Sequence, residues 1–272
     1  MALPNFLIIG AAKAGTTSLY HYLRQHPDVF MSPVKEPSFY APERDFAIQS
    51  RHEYVRLFDG ATTEQAIGEA SPQYLTAERA AERIADDLGD VRLIVSLRHP
   101  VDRAYSSYLG RLALGSEHMP VEEAMRPGTY YVETSRYHPL LARYFARFDR
   151  RRIKVLLFDE FVADPRAVLR EVCEFLDVDR EFPFEIATRH GAATAPRSIA
   201  ANAAYWRVVT AIRDRLPVRM RNTGLAGRAK RLLLRTPDPL PAAIRARLVE
   251  DFRDDIARTE GLIGRSLSRW LS

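Results

Sequence analysis

Apolar positions along the chain fall into two kinds of run. Phe6-Leu7-Ile8-Ile9, Arg92-Leu93-Ile94-Val95-Ser96-Leu97 and Ile153-Lys154-Val155-Leu156-Leu157-Phe158 are short blocks with almost no polar interruption. Blocks of that length predict strands buried on both faces, as inner strands of a parallel sheet are. Ala66-Ile67-Gly68-Glu69 predicts one further short strand. Between these blocks the spacing becomes helical: Thr16 to Leu23, Ala77 to Leu88 closed by Gly89, a helix opening near Pro100, Leu140 to Phe148, and Pro165 to Leu176. Proline in a first turn costs little, because its missing N–H has no partner there in any case. Residues 179–198 have no clear period and predict a loop. Helical spacing returns over 199–216, Thr236-Pro237-Asp238-Pro239 breaks it, and Pro241 to Leu262 predicts a long amphipathic helix. Strands alternating with helices predict an α/β protein with three layers, a central, mostly parallel sheet carrying helices on both faces. With no internal repeat or low-complexity linker, residues 1–272 are expected to form a single domain.

Composition narrows this picture only at a few points. The 46% hydrophobic and 28% charged content is that of a globular protein. The single cysteine, Cys173, rules out an intrachain disulfide and lies in an amphipathic pattern that predicts a buried core residue. No Cys/His spacing suggests a metal site, and no metal is expected. The apolar run near the N-terminus stops at Gly10 without a basic segment before it, and no stretch approaches the ~18 apolar residues of a spanning helix. A cytoplasmic location without a membrane span is therefore expected. The net charge of +5 is uneven: Arg207 to Arg235 holds nine Arg/Lys against Asp214 alone. Such a stretch suits a solvated helical face first, with nucleic acid, an anionic lipid or an anionic substrate as the alternative.

The chemistry concentrates where the first strand ends. Gly10-Ala11-Ala12-Lys13-Ala14-Gly15-Thr16-Thr17 between a strand and a helix has the layout of a P-loop: glycines let backbone N–H groups face phosphate oxygens, and the helix N-terminus favours negative charge. A nucleotide triphosphatase has lysine directly after the second glycine. Here Thr16 stands there, and the only lysine, Lys13, precedes that glycine by two positions. The strand at 92–97 runs into Arg98-His99-Pro100, which puts a guanidinium at the carboxyl edge of the sheet, where open α/β sheets bind ligands. Arginine there suits bidentate phosphate binding, and Ser106 two helical turns on offers a hydroxyl.

These residues resemble the PAPS-dependent sulfotransferase family, PAPS being 3′-phosphoadenosine 5′-phosphosulfate. Residues 6–19 look like the family's 5′-phosphosulfate loop, and Arg98-His99-Pro100-Val101-Asp102-Arg103-Ala104-Tyr105-Ser106 looks like its 3′-phosphate motif. Lys35-Glu36-Pro37-Ser38-Phe39-Tyr40 and Gly68-Glu69-Ala70-Ser71-Pro72-Gln73-Tyr74-Leu75 resemble the branch containing the heparan sulfate sulfotransferases. The likeness runs on through residues 158–165 to Gly264–Trp270. It implies a P-loop-like fold, with Lys13, Ala14, Gly15, Thr16, Thr17 and Ser18 forming the donor loop and Lys13 neutralising the leaving oxygen. It implies Arg98 and Ser106 at the 3′-phosphate, Arg197 and Ser198 in a loop closing over it, Glu69 as general base, and Lys35 on the sulfonate or orienting Glu69. Ala70 stands where several heparan sulfate enzymes have lysine, and 194–198 lacks their Lys/Gly-rich form. The acceptor, a hydroxyl or amine of a glycan, natural product or lipid, is thus left open, as is the oligomeric state. Should Glu69 not be the base, His99 or His190 is the next candidate.

Two other readings use the same residues. Val155-Leu156-Leu157-Phe158-Asp159-Glu160 is an apolar strand followed by an acidic pair, as in a magnesium-binding P-loop kinase or nucleotide triphosphatase. The 207–235 stretch suits a non-catalytic nucleic-acid binder, but only Tyr205 and Trp206 stand near it as stacking residues, so no nucleic-acid partner is expected.

Overall fold

The computed structural model describes residues 2–186, 194–198, 201–202, 204–207, 209 and 234–271. The chain forms two compact units, one of residues 1–100, 136–191 and 252–272, the other of residues 101–135 and 192–251.

The first unit is built on five parallel strands, β1 (Phe6–Gly10), β2 (Val29–Met31), β3 (Ala66–Ala70), β4 (Arg92–Leu97) and β5 (Ile153–Leu157), in the order β2-β3-β1-β4-β5. β1 is central, so the turn that follows it is flanked by the carboxyl ends of β3 and β4. Side chains alternate across a strand. Phe6 and Ile8 of β1, Ile94 of β4 and Leu156 of β5 join one core with α1 (Thr16–Leu23) and, later in the chain, α8 (Phe158–Ala163) and α9 (Pro165–Leu176). Leu7, Ile9, Leu93, Val95 and Leu97 face the other way and are equally buried, so the opposite face is covered as well. The fold is a P-loop-like α/β fold with a mostly parallel central sheet, as the sequence predicts.

Between the inner strands lie α2 (Arg51–Arg56) and α3 (Ala80–Leu88); α7 (Tyr137–Phe145) precedes β5. The expected helix over 77–88 starts only at Ala80, because residues 71–77 form turns, with Tyr74 N–H donating to Ser71 O and Ala77 N–H to Gln73 O. The expected helix over 140–148 is shifted to 137–145. Its cap is Asp255, whose carboxylate accepts from the Tyr137 and His138 N–H groups at 2.7 and 3.2 Å. The strand expected to reach Phe158 stops at Leu157, and Phe158 opens α8. The short strand β2 and helix α2 have no counterpart in the sequence pattern.

In the second unit α4 (Pro100–Ala113) begins at the expected proline, and α5 (Val121–Ala124) and α6 (Tyr130–Glu133) follow. A small antiparallel pair joins β6 (Ala195–Pro196) to β7 (Leu234–Arg235). Residues 201–202 and 204–207 are helical; the remainder of the expected 199–216 helix, and the basic stretch apart from Arg207, Leu234 and Arg235, lie mostly outside the described residues. The long C-terminal helix, α10, spans Ala242–Ile263 and extends into the first unit. Among the described residues, no helix is long and apolar enough to cross a membrane.

Candidate active site

The turn after β1 is held from both sides. Gly10 packs where any Cβ would come within 2.7 Å of the Leu75 Cβ, so glycine lets segment 71–75 pass over the strand end. Ser71 N–H donates to Ile8 O at 3.0 Å and Leu75 N–H to Ile9 O at 2.9 Å. From the β4 side, Ala11 N–H donates to Ser96 O at 2.8 Å, and Ser96 Oγ donates to Ala14 O at 2.7 Å. Lys13 and Gly15 are both left-handed, with φ of 72° and 84°. Glycine adopts that conformation freely; lysine does so only where the surroundings hold it. Gly15 is the N-cap of α1, no side chain caps it, and its first turn contains no acidic residue. The backbone therefore turns inward below a helix N-terminus, an arrangement that attracts anions. Lys13 is exposed, Thr16 and Ala14 are buried, and Gly15, Thr17 and Ser18 are half-buried.

Arg98 follows β4 directly. Its Nη1 donates to Lys13 O at 3.2 Å, and its guanidinium lies 4.9 Å from the Phe158 ring centre, in cation–π contact. Its own carbonyl accepts from Tyr137 OH at 2.8 Å. The structure thus brings the expected guanidinium to the expected loop. Ser106, Arg197 and Ser198 belong to the second unit. There Ser106 is buried on α4, whose Tyr105 OH donates to Asp238 O at 2.8 Å. Asp238 pairs with Arg235 of β7, and β7 pairs with β6, immediately before Arg197. Arg197 and Ser198 are exposed, and Ser198 Oγ accepts from Ala201 N–H at 3.3 Å, a local capping contact not foreseen.

On the other side of β1, Glu69 of β3 is opposite Leu7 in the strand register and is fully buried. Ser71 Oγ donates to its Oε2 at 2.8 Å, and Tyr54 OH lies 3.5 Å from its Oε1. The Tyr74 hydroxyl is buried beside the same carboxylate without the geometry of a hydrogen bond to any group. Burial pushes the Glu69 carboxyl up to about 7; the Tyr74, Ser71 and Tyr54 hydroxyls oppose that rise, and the Glu36 carboxylate adds to it. Beside the carboxylate, Phe39 stacks on Tyr54 at 4.4 Å and Tyr40 meets Tyr54 edge-on at 5.5 Å. A carboxyl poised near neutrality is suited to accept a proton.

Lys35 is half-buried and ion-paired with Glu36, whose other oxygen accepts from Gln73 Nε2 at 2.6 Å. Glu36 N–H donates to Ala70 O at 3.0 Å, which fastens the Lys35–Glu36 segment to the end of β3 next to Glu69. The sequence reading missed Ser71, Tyr54, Tyr74 and Ser96. Only Ser71 carried a local signal: it stands two positions after Glu69, and residues so spaced along an extended chain share a face.

His99 is buried against the Trp270 ring, and His190 lies outside the described residues. Cys173 is in the core, where burial pushes its thiol up to about 11. The acidic pair expected of a magnesium-binding strand end is not placed for that role: Asp159 and Glu160 are exposed in the first turn of α8, and Glu160 pairs with Arg265 at 2.6 Å. Among the described residues, no group of three or more His, Cys, Asp or Glu is placed to hold a metal ion.

Fold and site together define a P-loop-like α/β protein whose turn at the end of β1 has the geometry that attracts anions. Residues 3–203 match the sulfotransferase domain, and the chain belongs to that family; it is a sulfotransferase, an enzyme of sulfuryl transfer. The crystal structure of a sulfotransferase from Alicyclobacillus acidocaldarius is similar over 100% of both chains, with a TM-score of 0.76 and 31% identity. A membrane-associated sulfotransferase, kil1, of Dictyostelium discoideum is 36% identical over 112 residues, 40% of this chain and 23% of that protein. The human heparan sulfate glucosamine 3-O-sulfotransferase 3B1 is 29% identical over 189 residues, 65% of this chain and 47% of that protein. The chain thus spans less than half the length of these two relatives.

Proposed function

We propose that this sulfotransferase takes its sulfuryl group from PAPS and passes it to a hydroxyl or amine of a glycan, natural product or lipid, with residues 1–272 acting as one catalytic domain. The observation that carries this reading is the strand order. β3 and β4 flank β1, so a buried carboxyl, Glu69, and a guanidinium, Arg98, stand on opposite sides of one anion-binding turn. Kinship to enzymes that act on heparan sulfate supports a carbohydrate hydroxyl within that range.

In this mechanism the left-handed turn at Lys13–Gly15 and the first N–H groups of α1 hold the 5′-phosphate, with Thr16, Thr17 and Ser18 lending hydroxyls. Arg98 binds the 3′-phosphate with Ser106, and Arg197 and Ser198 close over it. Glu69 accepts the proton of the acceptor as that atom forms its bond to sulfur. The sulfur–oxygen bond to the 5′-phosphate breaks in line, and Lys13 neutralises the charge left on that oxygen. Lys35 orients Glu69 or steadies the sulfonate. The products are the sulfated acceptor and 3′-phosphoadenosine 5′-phosphate (PAP).

The experiment is a screen of labelled PAPS against chemically diverse acceptors, repeated with Glu69→Gln. Transfer that depends on Glu69 while PAP binding survives supports the mechanism. Unimpaired turnover in Glu69→Gln overturns the assignment of the base.

A further inference from the structure

The hydroxyl of Ser71 is engaged on both sides. Its oxygen accepts the Ser38 N–H at 3.0 Å, and it donates to Glu69 Oε2 at 2.8 Å. All three residues are fully buried. A hydroxyl has a single proton, and a backbone N–H only donates. With the Ser38 amide at its oxygen, Ser71 is committed to giving its proton to the carboxylate.

The amide is itself held in place. Glu36 and Ser38 are both left-handed, with φ of 63° and 53°, and neither is glycine. Such backbone persists only where surrounding bonds dictate it. Here Glu36 N–H donates to Ala70 O, Ala41 N–H to Ser38 O, and Ile48 N–H to Pro37 O, at 2.8–3.0 Å. The strap of residues 35–41 is thereby strung along the end of β3, with Lys35 at one end and the Ser38 amide behind Ser71.

We propose that Ser71 is a positioning residue for Glu69: oriented by the Ser38 amide, its hydroxyl fixes the carboxylate's direction and favours its ionised form, tying the Lys35–Tyr40 strap to the base. The inference rests on the reading of Glu69 as the base. The other groups facing Glu69 are Tyr54 from α2, Tyr74 from the segment after β3, and Tyr40 and the Glu36 carboxylate from the strap. Tyr54 OH is farther, at 3.5 Å, and Glu36 is of like charge, so among the described residues Ser71 makes the one short hydrogen bond to the carboxylate.

The infrared readout of this test needs no acceptor. On the full-length protein, the carbonyl stretch of the protonated carboxyl is followed by infrared titration, and the band lost in Glu69→Gln is assigned to Glu69. Ser71→Ala is expected to move its midpoint upward by about half a pH unit or more, since a donor to the charged form is lost. Ser71→Thr, which keeps the hydroxyl, is expected to restore it, and PAP affinity is expected to stay within about twofold in both. Ser71→Cys keeps the shape with a weaker donor and is expected to fall between, which covers the case of a Ser71→Ala protein that does not fold. A midpoint unchanged in Ser71→Ala or Ser71→Cys, or displaced equally by Ser71→Thr, overturns the proposal. Failure of the base assignment appears separately, as turnover that survives Glu69→Gln while the infrared shift persists.

Discussion

Arg98 Nη1 donates to the carbonyl oxygen of Lys13 across the 3.2 Å between the end of β4 and the turn after β1. One guanidinium thus anchors the loop that holds the lysine and, in the proposed donor site, also carries charge for a phosphate. Arg98→Ala removes both, and Arg98→Lys keeps the charge but loses the planar fork. A charge-assisted hydrogen bond contributes about 1.5–3 kcal/mol. The expected result is PAP binding weakened by roughly 10- to 100-fold in Arg98→Ala and by a smaller but clear factor in Arg98→Lys, read by isothermal titration calorimetry.

Gly15 joins two constraints at one position. Its φ is +84°, and a Cβ there meets Phe158 ring atoms at 3.1 Å and Phe161 at 3.2 Å. Gly15→Ala is expected to destabilise the protein by about 1–3 kcal/mol and to reduce PAP affinity, since the strain falls inside the anion-binding turn. Gly89 is the control: its φ is +58°, but a Cβ there meets nothing within 4 Å. Gly89→Ala is expected to cost about 1 kcal/mol through conformation alone and to leave PAP affinity intact. Thermal melts with and without PAP separate the two.

The inner strands were legible because burial on both faces leaves an uninterrupted apolar run, and the turn was legible because glycine spacing is local chemistry. What was not legible depended on residues far apart in the chain. The start of α7 is capped by Asp255, 118 positions away, so no local cap marks Tyr137. Phe158 continues an apolar run yet opens α8, and its ring lies against the Arg98 guanidinium, a contact made only on folding. Strand β2 has three residues, too few to show a period. Gly-Glu-Ala by itself marks no base. Resemblance pointed to Glu69, and its buried surroundings, built by Tyr54, Ser71 and Tyr74, emerge only on folding.

Burying Glu69 has a cost that depends on pH. Its carboxyl, ordinarily near 4.5, is raised to about 7 in the fold. The native state therefore holds a proton that the unfolded chain has released between these values, and stability falls as pH rises through that window. The favourable contribution is fully present below about 4.5 and lost above about 7. Glu69→Gln removes the penalty, so the variant is expected to melt above the native protein at pH 8, by about 2–4 kcal/mol in stability, with the gain shrinking towards pH 5. Turnover is expected to move oppositely, rising through about pH 7 in the native enzyme and dropping by roughly 10²- to 10⁴-fold in the variant. Denaturant melts across pH, beside initial rates, check both.

The most direct measurement of the central claim is ligand-dependent melting in two solutions, PAP with EDTA and ATP with Mg²⁺. Anything that binds only the native state raises its stability by mass action, about 2.7 kcal/mol at a hundredfold excess over Kd. The expected result is a clear rise with PAP that is cut by half or more in Lys13→Ala and in Arg98→Ala. A rise with ATP and Mg²⁺ but none with PAP, or PAP stabilisation undiminished in both variants, would contradict a donor site built from the Lys13 turn and Arg98.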